Sequence, residues 1–140
     1  MTKVKELMIK NVFVISSEET VLDSAKQMDK YNVGLLVVVE DMVTRRPMGV
    51  ISDRDIITKV IVKGLIPNKT YVKDVMSSSL ITITPKEDLQ AAMEKMKKNK
   101  VKRLPVVDED GSLAGIISFS DVVKQLAEFK QKLVEFAVDF

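Results

Sequence analysis

The sequence predicts a mixed α/β (α+β) fold built from two β-α-β-β-α repeats and closed by an amphipathic C-terminal helix. Three observations carry this reading. Val4-Lys5-Glu6-Leu7-Met8 returns as Val72-Lys73-Asp74-Val75-Met76, and the same offset of 68 runs without a gap as far as Val39 and Val107. Gly49-Val50-Ile51-Ser52 then matches Gly115-Ile116-Ile117-Ser118 at an offset of 66, which leaves two extra residues in a turn of the first copy. Finally, residues 35–39 and 104–107 are short runs with no charged residue, as expected of strands buried on both faces.

The elements follow in chain order. Residues 12–15 and 80–83 are short stretches rich in β-branched residues and predict the first strand of each copy. Ser17 and Pro85 then introduce helices. Val21, Leu22, Ala25 and Met28 recur at helical spacing in one, and Leu89, Ala92, Met93 and Met96 do so in the other. Glu18-Glu19 and Glu87-Asp88 fall in the expected first turns, where the helix dipole favours negative charge. The buried strands come next, followed by turns at residues 40–47 and at Asp108-Glu109-Asp110-Gly111, whose Asp-Gly pair signals a hairpin. Residues 48–51 and 113–117 predict the last strands, each leading into a helix near Asp53 or Ser120. KGLIPNK, residues 63–69, contains the Gly, Pro and Asn of a connection. The expected division is therefore 1–62 for the first repeat, 63–71 for the connection, 72–125 for the second repeat and 126–140 for a helical extension. Val122, Leu126, Phe129, Leu133 and Phe136 form one apolar stripe along that last helix.

Composition narrows the chemistry. The 140 residues include no Cys and no His, which removes disulfides, thiolate nucleophiles, zinc-thiolate sites and every step that needs imidazole. No nucleophile–base pair and no Gly-rich phosphate loop is present, so no catalytic residue, metal site or catalytic cofactor is expected. A net charge of +2 argues against a general affinity for nucleic acid. The longest apolar run is far too short to cross a bilayer, and the N-terminal segment lacks a signal-peptide core; a cytoplasmic protein with no membrane role is expected.

The order VKDVM, short strand, helix, basic-Leu-Pro-Val-Val-Asp, then Gly-apolar-apolar-Ser-x-x-Asp resembles the cystathionine β-synthase (CBS) domain family. The second copy is the closer match, through Lys102-Arg103-Leu104-Pro105-Val106-Val107-Asp108 and Gly115 to Asp121. The resemblance implies a tandem pair, or Bateman module, packed about a pseudo-twofold axis. It also implies a cleft between the repeats for an adenosine-containing ligand: AMP, ADP, ATP, NAD or S-adenosylmethionine. Asp55 and Asp121 take the family's ribose positions, with Ser52 and Ser118 three residues earlier. An ionised carboxylate can accept both hydroxyls of a ribose diol in charge-assisted bonds. The same Ser and Asp also suit plain helix capping. Arg103 and Arg54, and less strongly Lys102, take phosphate positions. Val14, Ile15 and Ser16, with Thr82, Ile83, Thr84 and Pro105, take base-contacting positions.

The two copies differ where phosphate would bind. Lys102-Arg103 corresponds to Gly34-Leu35, and Pro105 to Val37, so the halves are expected to contribute unequally and occupancy of one or both sites stays open. The function expected is a stand-alone, energy-sensing regulatory module that forms a homodimer, parallel or antiparallel, and signals to an unidentified partner protein. The alternatives are a dimerisation or interaction scaffold without a physiological nucleotide, and a nucleic-acid-binding CBS protein using the basic run from Lys95 to Arg103.

Overall fold

The computed structural model describes residues 2–138. Its elements, in order, are helix α1 (Val4–Leu7), strand β1 (Val14–Ser16), helix α2 (Val21–Tyr31), strands β2 (Leu35–Val39) and β3 (Pro47–Ser52), helix α3 (Asp53–Ile56), helix α4 (Val72–Val75), helix α5 (Leu89–Asn99), strands β4 (Arg103–Val107) and β5 (Leu113–Ser118), and helix α6 (Phe119–Val138). A π-helical turn, Ile57–Ile61, prolongs α3, and a short 3₁₀ turn, Pro67–Lys69, lies in the connection. The mixed α+β architecture with a C-terminal helix agrees with the expectation from sequence.

Two compact units arise, and they are not the two repeats taken in chain order. One holds residues 11–80 and 108–113, and the other holds residues 2–10, 81–107 and 114–138. Each repeat therefore lends its leading segment to the other's unit. The hydrogen bonds show the exchange in duplicate. Val72 N–H donates to the Glu19 carbonyl (2.8 Å) and Lys73 N–H to that of Ser17 (3.1 Å); at the equivalent positions, Val4 N–H donates to Glu87 (2.8 Å) and Lys5 N–H to Pro85 (3.1 Å). Val72 and Val75 are buried in a core with Ile15, Met28, Leu36, Val38 and Ile51. Val4 is buried in the other, with Ile83, Ala92, Leu104, Val106 and Ile117. Gly49 and Gly115 permit the next step of the exchange. A β-carbon at Gly49 would stand 2.5 Å from the Ser77 carbonyl oxygen, and one at Gly115 would stand 2.8 Å from that of Ile9.

In the first of these units, β1 pairs in parallel with β2 and β2 antiparallel with β3, with Val14 opposite Val37 and Leu35 opposite Ser52. Residues 36–39 are wholly buried, as their continuous apolar run requires. In the other unit β4 pairs with β5, but the strand expected over 80–83 shrinks to one parallel bridge between Ile83 and Val106. Pro105 explains the difference. Val37 N–H donates to the Phe13 carbonyl at 3.2 Å, whereas Pro105, its counterpart, has no N–H to give to Ile81.

The helix starts also differ from expectation. Thr20 and Asp88 cap α2 and α5, accepting from the Asp23 and Ala91 amides, so Ser17, Pro85, Glu18, Glu19 and Glu87 lie before the helices rather than at their starts. The left-handed residues that end the two helices, Asn32 and Lys100, are again equivalent. The helix expected near Ser120 begins at Phe119, and β5 runs directly into it. Its first turns bury Val122, but Leu126, Phe129, Leu133 and Phe136 stand half or more exposed, so the unit does not cover the stripe. Residues 139 and 140 of the expected extension lie outside the described residues.

The turn after β4 forms as the Asp-Gly signal predicts, with Gly111 at φ +85° and its N–H donating to the Asp108 carbonyl. Ser112 donates from its hydroxyl (2.6 Å) and its N–H (3.0 Å) to Asp110 Oδ1. These bonds, aided by the Arg46 charge, hold the Asp110 carboxyl below its ordinary pKa. A depressed folded-state value means the contribution is present at neutral pH and fades as pH falls through that lowered value. Ser112→Ala is expected to bring the Asp110 titration back up toward the ordinary carboxylate range, read by NMR; an unmoved titration would contradict the assigned cause.

Candidate functional site

The Ser-x-x-Asp pairs sit at the junction of the last strand and last helix of each repeat. Ser52 ends β3 and caps α3, and Ser118 ends β5 at the start of α6. Both pairs form reciprocal caps. Asp55 N–H donates to Ser52 Oγ (3.1 Å) while Ser52 N–H donates to Asp55 Oδ2 (3.0 Å). Asp121 N–H donates to Ser118 Oγ (3.2 Å), and Asp121 Oδ2 accepts from the Ser118 N–H (3.0 Å) and hydroxyl (2.8 Å). The capping role is thus realised in both copies, and it leaves one oxygen on each carboxylate.

Those second oxygens have different fates. Asp55 Oδ1 is paired with the Lys59 ammonium at 3.2 Å, and Lys59 is also anchored to the Val75 carbonyl at 3.1 Å. The residue equivalent to Lys59 is Gln125, which has no charge to offer. Among the described residues, Asp121 Oδ1 has no hydrogen-bond or ion-pair partner. Lys59 was not singled out from sequence, although its i, i+4 spacing from Asp55 was there to be read.

Backbone bonds bring the cations near these junctions. Phe119 N–H donates to the Lys102 carbonyl at 2.7 Å, which ties the start of α6 to the entry of β4 and so to Arg103. Asp53 N–H makes the matching bond to Gly34 at 2.9 Å, at the entry of β2. Lys102, Arg103 and Arg54 are all exposed, and none has an ion-pair partner among the described residues. The second copy therefore holds an unpaired carboxylate oxygen and two unpaired cations around one junction. In the first copy, the carboxylate is paired and only Arg54 is free.

The expected base-contacting residues are divided between core and surface. Ile15 and Ile83 are each 1% exposed, so their side chains belong to the cores. Pro105 is buried within β4. The Val14 carbonyl accepts from Gln27 Nε2 and the Thr82 carbonyl from Lys95 Nζ, both at 2.9 Å, a duplicated brace from helix to first strand. Glu87 Oε2 accepts from both the N–H (2.8 Å) and the hydroxyl (3.1 Å) of Thr84. Val14, Ile15 and Ser16 together line a depression of about 380 Å³ with Gln27, Lys30 and Tyr31. Ser52, Arg54 and Asp55 are not part of its lining. The basic run 95–103 is not one surface, since Lys95 is turned inward to Thr82 and Glu87 (3.8 Å).

Among the described residues no three acidic side chains cluster as a metal site would need, and no helix is long and apolar enough to cross a membrane. The model of the CBS domain matches residues 4–62 and again 72–128. The mitochondrial CBS domain-containing protein CBSX3 of Arabidopsis thaliana is 36% identical over 121 residues, covering 84% of this chain and 58% of that protein; the chain spans less than two thirds of that relative's length. The CBS domain-containing protein YhcV of Bacillus subtilis is 34% identical over 122 residues, covering 87% of this chain and 84% of that one. Among solved structures, the CBS domain pair of protein MJ0100, in complex with 5-methylthioadenosine and S-adenosyl-L-methionine, superposes with a TM-score of 0.79 at 26% identity, covering 91% of this chain and 98% of that one.

Proposed function

Because the chain belongs to the CBS domain family and carries two of its domains in tandem, we propose that it is a regulatory module that binds an adenosine-containing ligand and passes that binding to a partner protein. The observation that carries the reading is the Asp121 carboxylate. One oxygen is held by the cap, which fixes its direction, and the other is free to accept from a ribose hydroxyl. Arg103 and Lys102, unpaired beside the same junction, suit the phosphates. The first repeat contributes through Ser52, Asp55 and Arg54, but a ribose there must compete with Lys59 for Asp55. Ligand binding is therefore expected to be led by the second repeat. Val14, Ser16, Thr82 and Thr84 are proposed to border the base, which must compete there with the chain's own bonds, since Gln27 and Lys95 already donate to the Val14 and Thr82 carbonyls and Thr84 already donates to Glu87. MJ0100's pair, which binds two adenosyl compounds in its crystal structure, lends support to this ligand class.

Regulation requires two conformations for which the ligand has different affinities, since a ligand that binds both equally shifts neither. We also propose that the chain self-associates. Large side chains on α6 remain in water in the single chain, and a second copy is the occupant always present at matching concentration.

Calorimetric titration with AMP, ADP, ATP, NAD and S-adenosylmethionine tests the ligand reading. At least one is expected to bind. At about a hundred times its Kd it adds about 2.7 kcal/mol to stability, a rise of several degrees in Tm. No heat and no thermal shift with any of them removes the nucleotide-sensing function. The exposed α6 stripe would then favour the scaffold reading, in which self-association is the function.

A further inference from the structure

Both repeats place a carboxylate at the start of their last helix, but only the first repeat fills its own with a cation. The Lys59 ammonium lies 3.2 Å from Asp55 Oδ1 and donates to the Val75 carbonyl at 3.1 Å. One group therefore joins the candidate ribose position to the end of α4. Val75 is the last residue of α4, in the segment that the second repeat lends to this unit, and it is 5% exposed. Asp55, Lys59 and Val75 all lie within the unit of residues 11–80. The last carbonyls of a helix have no donor inside it, and a lysine suits them. Lys59 stands in the middle of the π-helical turn Ile57–Ile61, whose wider ring is closed by Val62 N–H donating to the Ile57 carbonyl at 2.9 Å. The equivalent residues 123–127 continue α6 as regular helix, with Gln125 in the place of Lys59. The repeat itself therefore requires neither the wider turn nor the cation, and both are particular to the first copy.

We propose that Lys59 is a gate on the first repeat's ligand position: a ribose that takes Asp55 releases Lys59, and with it the anchor on α4. The Lys59 side chain is 44% exposed and that of Asp55 18%. The ammonium can thus leave into water, while the carboxylate stays at the junction, held by the Ser52 cap. Once ribose hydroxyls engage Asp55, one carbonyl alone is left to hold Lys59. The rotamer freedom that a lysine gives up is comparable with what one hydrogen bond returns, so two acceptors fix Lys59 and one does not. The Val75 carbonyl then exchanges the ammonium for water. Linkage makes the effect reciprocal: ligand loosens α4, and whatever loosens α4 frees Asp55 for ligand. The gate rests on the adenosyl-ligand reading proposed above; the tie between Lys59 and α4 does not.

The gate is tested in an Asp121→Ala background, which leaves the first repeat's carboxylate to be read. Titration calorimetry with AMP, ADP, ATP, NAD and S-adenosylmethionine is run on the wild-type chain and on this parent. It is repeated on the parent carrying Lys59→Gln, Asp55→Asn or both, with circular dichroism to confirm each fold. Lys59→Gln, which installs the second repeat's residue, is expected to bind about three- to fivefold more tightly than the parent. It should gain nothing once Asp55→Asn is also present, a dependence that a merely structural role for Lys59 would not produce. Hydrogen exchange reads the tie to α4. Met76 N–H, which closes α4 onto the Val72 carbonyl, should exchange several times faster in Lys59→Gln without any ligand. A saturating level of any of the five compounds that binds should quicken the same amide in the wild-type chain. Equal affinity of Lys59→Gln and its parent, including none for either, or a gain that survives Asp55→Asn, overturns the gate, while binding to the wild-type chain leaves the ligand reading standing. Unchanged exchange at Met76 in either experiment overturns the tie to α4. No binding to the wild-type chain or to any variant removes the ligand reading and the gate with it.

Discussion

Asp121→Ala is expected to reduce affinity for the adenosyl ligand by about 10- to 100-fold, the loss of one or two charge-assisted hydrogen bonds to ribose hydroxyls. It also removes half of the Ser118–Asp121 cap, for about 1 kcal/mol of stability. A second substitution separates these effects. Asp121→Asn keeps an oxygen for the Ser118 N–H but loses the charge, so it should melt close to wild type and still bind more weakly. Asp55→Ala is expected to cost less affinity, because the wild-type carboxylate is already engaged by Lys59. Titration calorimetry and thermal melting of the three variants decide the matter. Wild-type affinity in Asp121→Ala would remove the ribose assignment and leave Asp121 as a cap alone.

Removing residues 1–10 is expected to destabilise the unit containing residues 81–107 and 114–138 by several kcal/mol. That segment supplies the fully buried Val4, partial burial of Leu7 and Met8, and backbone bonds to Pro85, Glu87 and Ile116. Truncating Val4 to Ala alone removes two buried carbons, about 1.6 kcal/mol of transfer free energy before any cavity is counted. Native-state hydrogen exchange reads the effect by residue. Protection of Leu104 and Ile117 should fall in the shortened chain by far more than that of Leu36 and Ile51, whose core holds Val72 and Val75 instead of Val4. Equal protection in the two forms would show that the exchanged segment does not hold this core together.

Much of the fold was legible because the chain states it twice. The offsets of 68 and 66 located equivalent strands, helices and turns, and two readings of one pattern are worth more than a strong reading of one. Ser52-x-x-Asp55 and Ser118-x-x-Asp121 were legible as pairs for the same reason, although capping and ribose binding call for the same residue types. What misled was chemistry on a scale finer than the pattern. Ser17 and Pro85 look like helix starts, yet Thr20 and Asp88 serve, because a cap is decided by which side chain reaches the third amide of the helix. The strand expected at 80–83 lost most of its ladder to the absent N–H of Pro105, a proline that the family resemblance had drawn attention to for another purpose.

By itself the sequence determined the repeat, the order of its elements, the lack of thiol and imidazole chemistry, and the unequal charge of the two halves. Those properties follow from residue type and spacing along the chain. Only the tertiary structure decided that the leading segments are exchanged, that Asp55 is tied to Lys59 while Asp121 keeps a free oxygen, and that α6 carries its apolar stripe into solvent. Each depends on which groups lie within about 3 Å of one another after folding, the range over which a hydrogen bond or close ion pair acts. A pattern along the chain can show that a carboxylate is present, but only the folded structure shows what already occupies it.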